Sequence, residues 1–286
     1  MRRIALMLTV LAALPLAACN NSPSNGQKAA KAVAVANNVT GNISLMAPRK
    51  LSPKATMTIQ LVDASNDGSA PLASKTIAPV TKMPLDYSLD FDRAKINPAD
   101  IYLVKVDLTD GDRTFSMPVQ APVITRGAQT SKVDILLVAN KTPAEMLEDQ
   151  YAKLQKNLGA YSISNGRELE KDESRGWQTF RSNDDGKIVF VRENVDYGKR
   201  GFSNSEFAYR DGKPWFVVVK EKSSQNSKPS DVMRAGWNAD GKLVVRENTT
   251  GGKTGTLSDA QANQLRDKAE AMLKLARAKT PAKKKH

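Results

Sequence analysis

The sequence predicts a mainly β protein. A seven-stranded β-sandwich over 39–139 is followed by an α+β unit over 140–278, built as helix, six-stranded antiparallel meander, helix. Three observations predict this. Between Val39 and Ala139, short runs rich in Val, Ile, Leu and Thr alternate with Pro, Gly, Asn and Asp breakers, the pattern of short strands joined by turns. Beyond it, Asp-Gly-Lys recurs at Asp185, Asp211 and Asp240, each time between apolar runs, which marks hairpins. Two capping-box patterns, Thr142-Pro143-Ala144-Glu145 and Ser258-Asp259-Ala260-Gln261, flank that repeat and open helices.

The chain opens MRRIALMLTVLAALPLAAC. Arg2 and Arg3 are a basic start, Ile4 to Leu14 an apolar run too short to span a bilayer, and small residues precede Cys19, so 1–18 reads as a signal peptide. Leu16-Ala17-Ala18-Cys19 resembles the lipobox of bacterial lipoproteins, and Cys19 is the only cysteine in the chain. The resemblance implies cleavage before Cys19, lipidation of its thiol and acylation of the new amino terminus. One lipid chain holds a protein only marginally, whereas the three usual for such lipoproteins hold it effectively for good. Asn20 follows Cys19, which by resemblance to the enteric sorting rule directs the chain to the periplasmic face of the outer membrane. Residues 19–38, rich in Asn, Ser and Ala, have too little bulky apolar surface to fold alone and read as a tether.

Strands are expected at 39–46, 56–62, 72–80, 85–91, 102–108, 114–119 and 133–138. Tyr102, Val104, Val106 and Leu108 show the period of two that places one face in a core. The ordered set Val39-Thr40-Gly41, Leu51-Ser52-Pro53, Pro84-Leu85 with Tyr87, Ile96-Asn97-Pro98 with Tyr102, Pro122-Val123-Ile124-Thr125-Arg126-Gly127 and Val133-Asp134-Ile135-Leu136-Leu137 resembles the YbaY/YscW family of bacterial lipoproteins. That resemblance implies a small β-sandwich at the outer membrane. In one branch it implies a pilotin, which helps a secretin ring assemble. It covers about a third of the chain.

Thr142 caps the next helix, and Leu147, Tyr151, Leu154 and Leu158 form one apolar stripe along it, suited to packing on the following sheet. The meander strands are expected at 176–181, 187–192, 205–210, 215–220, 232–238 and 243–247, with type I′ turns at the Asp-Gly pairs. Leu265, Ala269, Met272, Leu273 and Ala276 then face inward from a last helix. Gly251-Gly252-Lys253-Thr254 lacks the first glycine of a phosphate loop, Glu247 standing in its place, and reads as a mobile loop. The tail over 279–286 is basic, a disordered run able to meet anionic envelope surfaces.

Composition closes several functional classes. The only His is His286, so no Ser-His-Asp or Cys-His catalytic arrangement and no His/Cys metal site can be assembled. No motif calls for a cofactor. Without Arg2 and Arg3 the net charge of +13 becomes +11, five of it in the tail from Arg277. Outside the cytoplasm the fitting anionic partner is a lipid head group or wall polymer, not nucleic acid, and a tail that only solubilises is an equally plain use. Trp177, Trp215 and Trp237 with Arg192 and Arg246 are the candidate binding residues, as a platform for sugar or peptide, although filling the core is the plainer use of the tryptophans. The expected function is therefore non-enzymatic: a lipid-anchored binding or assembly-assisting protein, pilotin-like by resemblance, whose partner is a secretin-like or other outer-membrane component. The alternative is a cell-wall glycan-binding or glycan-cleaving protein using meander carboxylates such as Glu193 and Glu247.

Overall fold

The computed structural model describes residues 37–66 and 68–279. The expected signal peptide, the lipobox-like segment, nearly all of the expected tether and the residues beyond Lys279 lie outside the described residues.

Nine strands form the first sheet: β1 (Asn38–Leu45), β2 (Thr56–Asp63), β3 (Ala73–Ile77), β4 (Leu85–Asp90), β5 (Tyr102–Asp110), β6 (Arg113–Ser116), β7 (Ala121–Val123), β8 (Thr130–Lys132) and β9 (Ile135–Ala139). Their order is β3-β2-β5-β6-β9-β1-β4, with β7 beside β5 and β8 beside β1. The expected seven strands are all present, and β7 and β8 add two of three residues each. The two halves are not separate sheets. Residues 135–137 of β9 run parallel to β1, while Val138 and Ala139 pair with β6, so one strand carries the ladder around the corner. Alternation along β2 buries Met57, Ile59 and Leu61 against Val39, Ile43, Val104, Val106, Leu108 and Leu137. Gly41 fits because nothing larger would: a Cβ there would lie 1.8 Å from the carbonyl oxygen of Val133. That same carbonyl accepts the Tyr87 hydroxyl at 2.9 Å.

Helix α1 (Pro143–Lys156) follows with the expected capping box: Thr142 Oγ1 accepts from Glu145 N at 3.2 Å and Glu145 Oε2 from Thr142 N at 2.9 Å. Then come β10 (Ser162–Glu170), β11 (Glu173–Arg181), β12 (Ile188–Asp196), β13 (Phe202–Arg210), β14 (Lys213–Lys222), β15 (Pro229–Trp237), β16 (Leu243–Thr250), β17 (Lys253–Thr256) and helix α2 (Asp259–Ala278). The meander has eight strands in sequential order, not six. β10 and β17 were missed because neither turns apolar residues into the core: β17 is exposed throughout, and the large apolar residues of β10 point to solvent. Gly251 and Gly252, expected as a mobile loop, are the two-residue turn between β16 and β17, both with positive φ. Of the three Asp-Gly pairs only Asp211-Gly212 is a two-residue turn with both φ positive. At Asp185-Gly186 and Asp240-Gly241 only the glycine has positive φ, and the loops are longer, closing through Ser182 N to Lys187 O and Asn238 N to Lys242 O.

The helices lie on opposite faces of this sheet. Leu147, Tyr151 and Leu158 pack with Phe190, Phe216, Val218 and Val245. Leu265, Ala269, Met272, Leu273 and Ala276 pack with Trp177, Val191, Phe207, Val217, Val219 and Trp237. From Phe216 to Val219 successive residues of β14 serve different cores, and Trp215 packs beside Phe216 on the α1 side, so the strand is buried without a break from 214 to 219.

Candidate functional site

A meander turns alternately at its two ends, so the loops β11–β12, β13–β14 and β15–β16 share one end of the sheet. The last two of these loops and α2 enclose a recess of about 560 Å³, lined by Arg210, Asp211, Lys213, Trp215, Trp237, Asp240, Arg266 and Glu270. The indoles form its walls but do not offer bare faces. Arg210 lies over Trp215, 4.9 Å from the ring centroid, and Arg266 over Trp237 at 4.4 Å. Both rings are buried, at 7% and 3% exposure. What the recess presents is guanidinium, ammonium and carboxylate groups of both signs, able to hydrogen-bond a polar segment of a partner.

The five candidate residues do not meet in one place. Trp177 and Trp237 belong to the α2 face, and Trp215 packs edge-on to Tyr151 under α1, with ring centroids 6.4 Å apart. Trp177 fills the space above Gly166, where a Cβ would come within 2.1 Å of the indole. Arg246 is held at the start of α2, where its Nε donates to the Leu257 carbonyl at 3.1 Å and its Nη2 to Asp259 Oδ1 at 2.5 Å. Arg192 faces the α1 side, 3.4 Å from Glu206 Oε1. The other oxygen of Glu206 accepts from the Tyr151 hydroxyl at 2.7 Å and from Gln155 at 3.0 Å. Burial, then the adjoining Glu206 charge, pushes the Tyr151 hydroxyl far above its ordinary range.

The carboxylates of the glycan-cleaving alternative are also separated. Glu193, 1% exposed, stands opposite Trp177 on the α2 face, between Arg175 Nη1 at 3.3 Å and Lys268 Nζ at 3.6 Å. Glu247 stands opposite Arg234, on the α1 face. Two carboxylates acting on one glycosidic bond must flank it within about 5–9.5 Å with nothing between them, and here the sheet itself lies between. Among the described residues no group of three or more His, Cys, Asp or Glu is placed to hold a metal ion, and no helix is long and apolar enough to cross a membrane.

The charged residues around the recess that were not among the sequence candidates are Arg210, Asp211, Lys213, Asp240, Arg266 and Glu270. The spacing of the Asp-Gly pairs carried part of that signal, because alternate turns of a meander fall at one end. The arginines carried none, since their partners are the tryptophans of other elements.

Residues 34–136 match the family model described as type III secretion system lipoprotein chaperone (YscW). The match covers the first sheet up to Leu136, the second residue of β9, and ends before α1. Among curated proteins no relative matches the chain. Among solved structures, an alternative pilotin from the type II secretion system of Vibrio cholerae is 22% identical, with 36% of this chain and 96% of that chain covered, at a TM-score of 0.32.

Proposed function

We propose that the chain is a non-enzymatic lipoprotein, anchored through Cys19 to the periplasmic face of the outer membrane, that binds a secretin-like or other outer-membrane component and assists its assembly. The observation that carries this reading is the match of residues 34–136 to a lipoprotein chaperone family, in a chain whose single cysteine ends a segment, Leu16-Ala17-Ala18-Cys19, that resembles a lipobox. In this reading residues 39–139 and 140–278 act as two modules on one tether. The lipid confines them to a thin layer beside the membrane, so modest intrinsic affinity suffices at high local concentration. The basic tail adds salt-sensitive attraction to anionic head groups, on the order of 1 kcal/mol for each basic residue near the surface.

The test is photo-crosslinking in living cells from probes placed on the first sheet and around the recess, followed by identification of the captured partner. Recovery of a secretin or another outer-membrane assembly component supports the proposal. Capture of glycan strands alone favours the wall-binding alternative and overturns it.

A further inference from the structure

β10 is an uncovered edge. It pairs only with β11, over nine residues without a bulge or a proline, and among the described residues no strand pairs with its other side. The opposite edge, β17, has four residues. Long, regular, unpaired edges are uncommon in natural sheets because they template pairing with another chain.

The phase of this edge is fixed. The turn between β10 and β11 has two residues and closes on the pair Glu170–Glu173, so the hydrogen-bonded pairs fall at even positions of β10. The backbone groups of Ile163, Asn165, Arg167 and Leu169 therefore point outward. All four side chains are exposed and stand on the face away from α2; Ile163 and Leu169 are exposed at 54% and 65%. A partner strand must bond to these four residues.

We propose that the partner is a second copy of this chain, joined antiparallel along β10 about a two-fold axis at Gly166. The strand is self-complementary about that residue. In this register Ile163 faces the other copy's Leu169, and Asn165 faces its Arg167. On the α2 side Ser162 faces Glu170 and Ser164 faces Glu168. Apolar meets apolar, each charged group meets a hydrogen-bonding neutral one, and no like charges stand opposed. The odd-to-odd pairing also matches the outward backbone groups. The neighbouring registers allowed by the same phase are worse: one sets Arg167 against Arg167, and the other sets Ile163 against Arg167 and leaves Leu169 unpaired. A two-fold interface requires a self-complementary patch, and this strand supplies one. The product is a sixteen-stranded sheet across two copies, with both recesses remote from the joint.

The test measures the protein mass of the mature full chain in detergent micelles by light scattering, over a range of concentrations. A mass of two chains is expected. Two double variants then probe the register, since both positions are exposed and bear no load in either core. Ile163→Glu with Leu169→Glu sets like charges across the axis and is expected to weaken the dimer about tenfold or more. Ile163→Lys with Leu169→Glu sets opposite charges there and is expected to keep it. Asn165→Pro removes an outward N–H without touching the ladder to β11 and is expected to give a monomer. Circular dichroism confirms that each variant folds. A native chain that stays monomeric up to its solubility limit overturns the proposal. So does a dimer indifferent to all three variants, or one that the two charge variants weaken equally.

Discussion

Glu145 closes the capping box of α1 and also accepts from Arg113 of the first sheet at 2.5 Å. The bond from Arg113, then that from the Thr142 amide, hold its carboxyl down at about 2, against an ordinary value of 4.5. A depressed carboxylate stabilises the fold above its unfolded value and loses that contribution as pH falls through the folded one. Unfolding monitored between pH 5 and pH 2 should therefore show a loss of stability that Glu145→Gln lacks; identical acid profiles would contradict this. Tyr209 illustrates a neutral contact. Its buried hydroxyl donates to the Ala269 carbonyl at 2.8 Å and ties β13 to α2. Tyr209→Phe should cost about 1 kcal/mol, read as a lower urea midpoint at unchanged slope.

At the scale of elements, α1 is docked mainly through aromatic packing. Tyr151 stacks on Phe216 with centroids 4.2 Å apart, and Phe216 is fully buried. Phe216→Ala should cost about 3–5 kcal/mol, and hydrogen exchange should show α1 opening ahead of α2, because α2 packs on the other face. Both helices were legible from their capping boxes and apolar stripes, since local hydrogen bonds and a period near 3.6 are written in adjacent residues. The six central meander strands were legible from apolar runs and turns. β10 was not, because Asn165-Gly166 looks like a turn and its apolar residues face outward. The opposite placement of the helices was missed as well, although the run from 214 to 219 held the clue: a strand apolar at every position is covered on both sides.

Across the whole molecule, the first sheet encloses a single core, while the second divides its apolar residues between two helices. The curl of the first sheet depends on β9 changing partners after Leu137, and no local pattern announces a change of partner. The recess was only half legible for a related reason: topology brings its loops together, but the arginines over Trp215 and Trp237 arrive from elsewhere in the chain. The proposed function rests on the lipid anchor proposed at Cys19, which would confine residues 39–139 and 140–278 to the membrane surface. Mass spectrometry of the mature amino terminus, purified from membranes, tests this most directly. The account predicts a chain beginning at Cys19 and carrying acyl groups, with Cys19→Ser leaving the folded domains intact but soluble. An unacylated mature chain, or a Cys19→Ser variant that stays with the membrane, would contradict it.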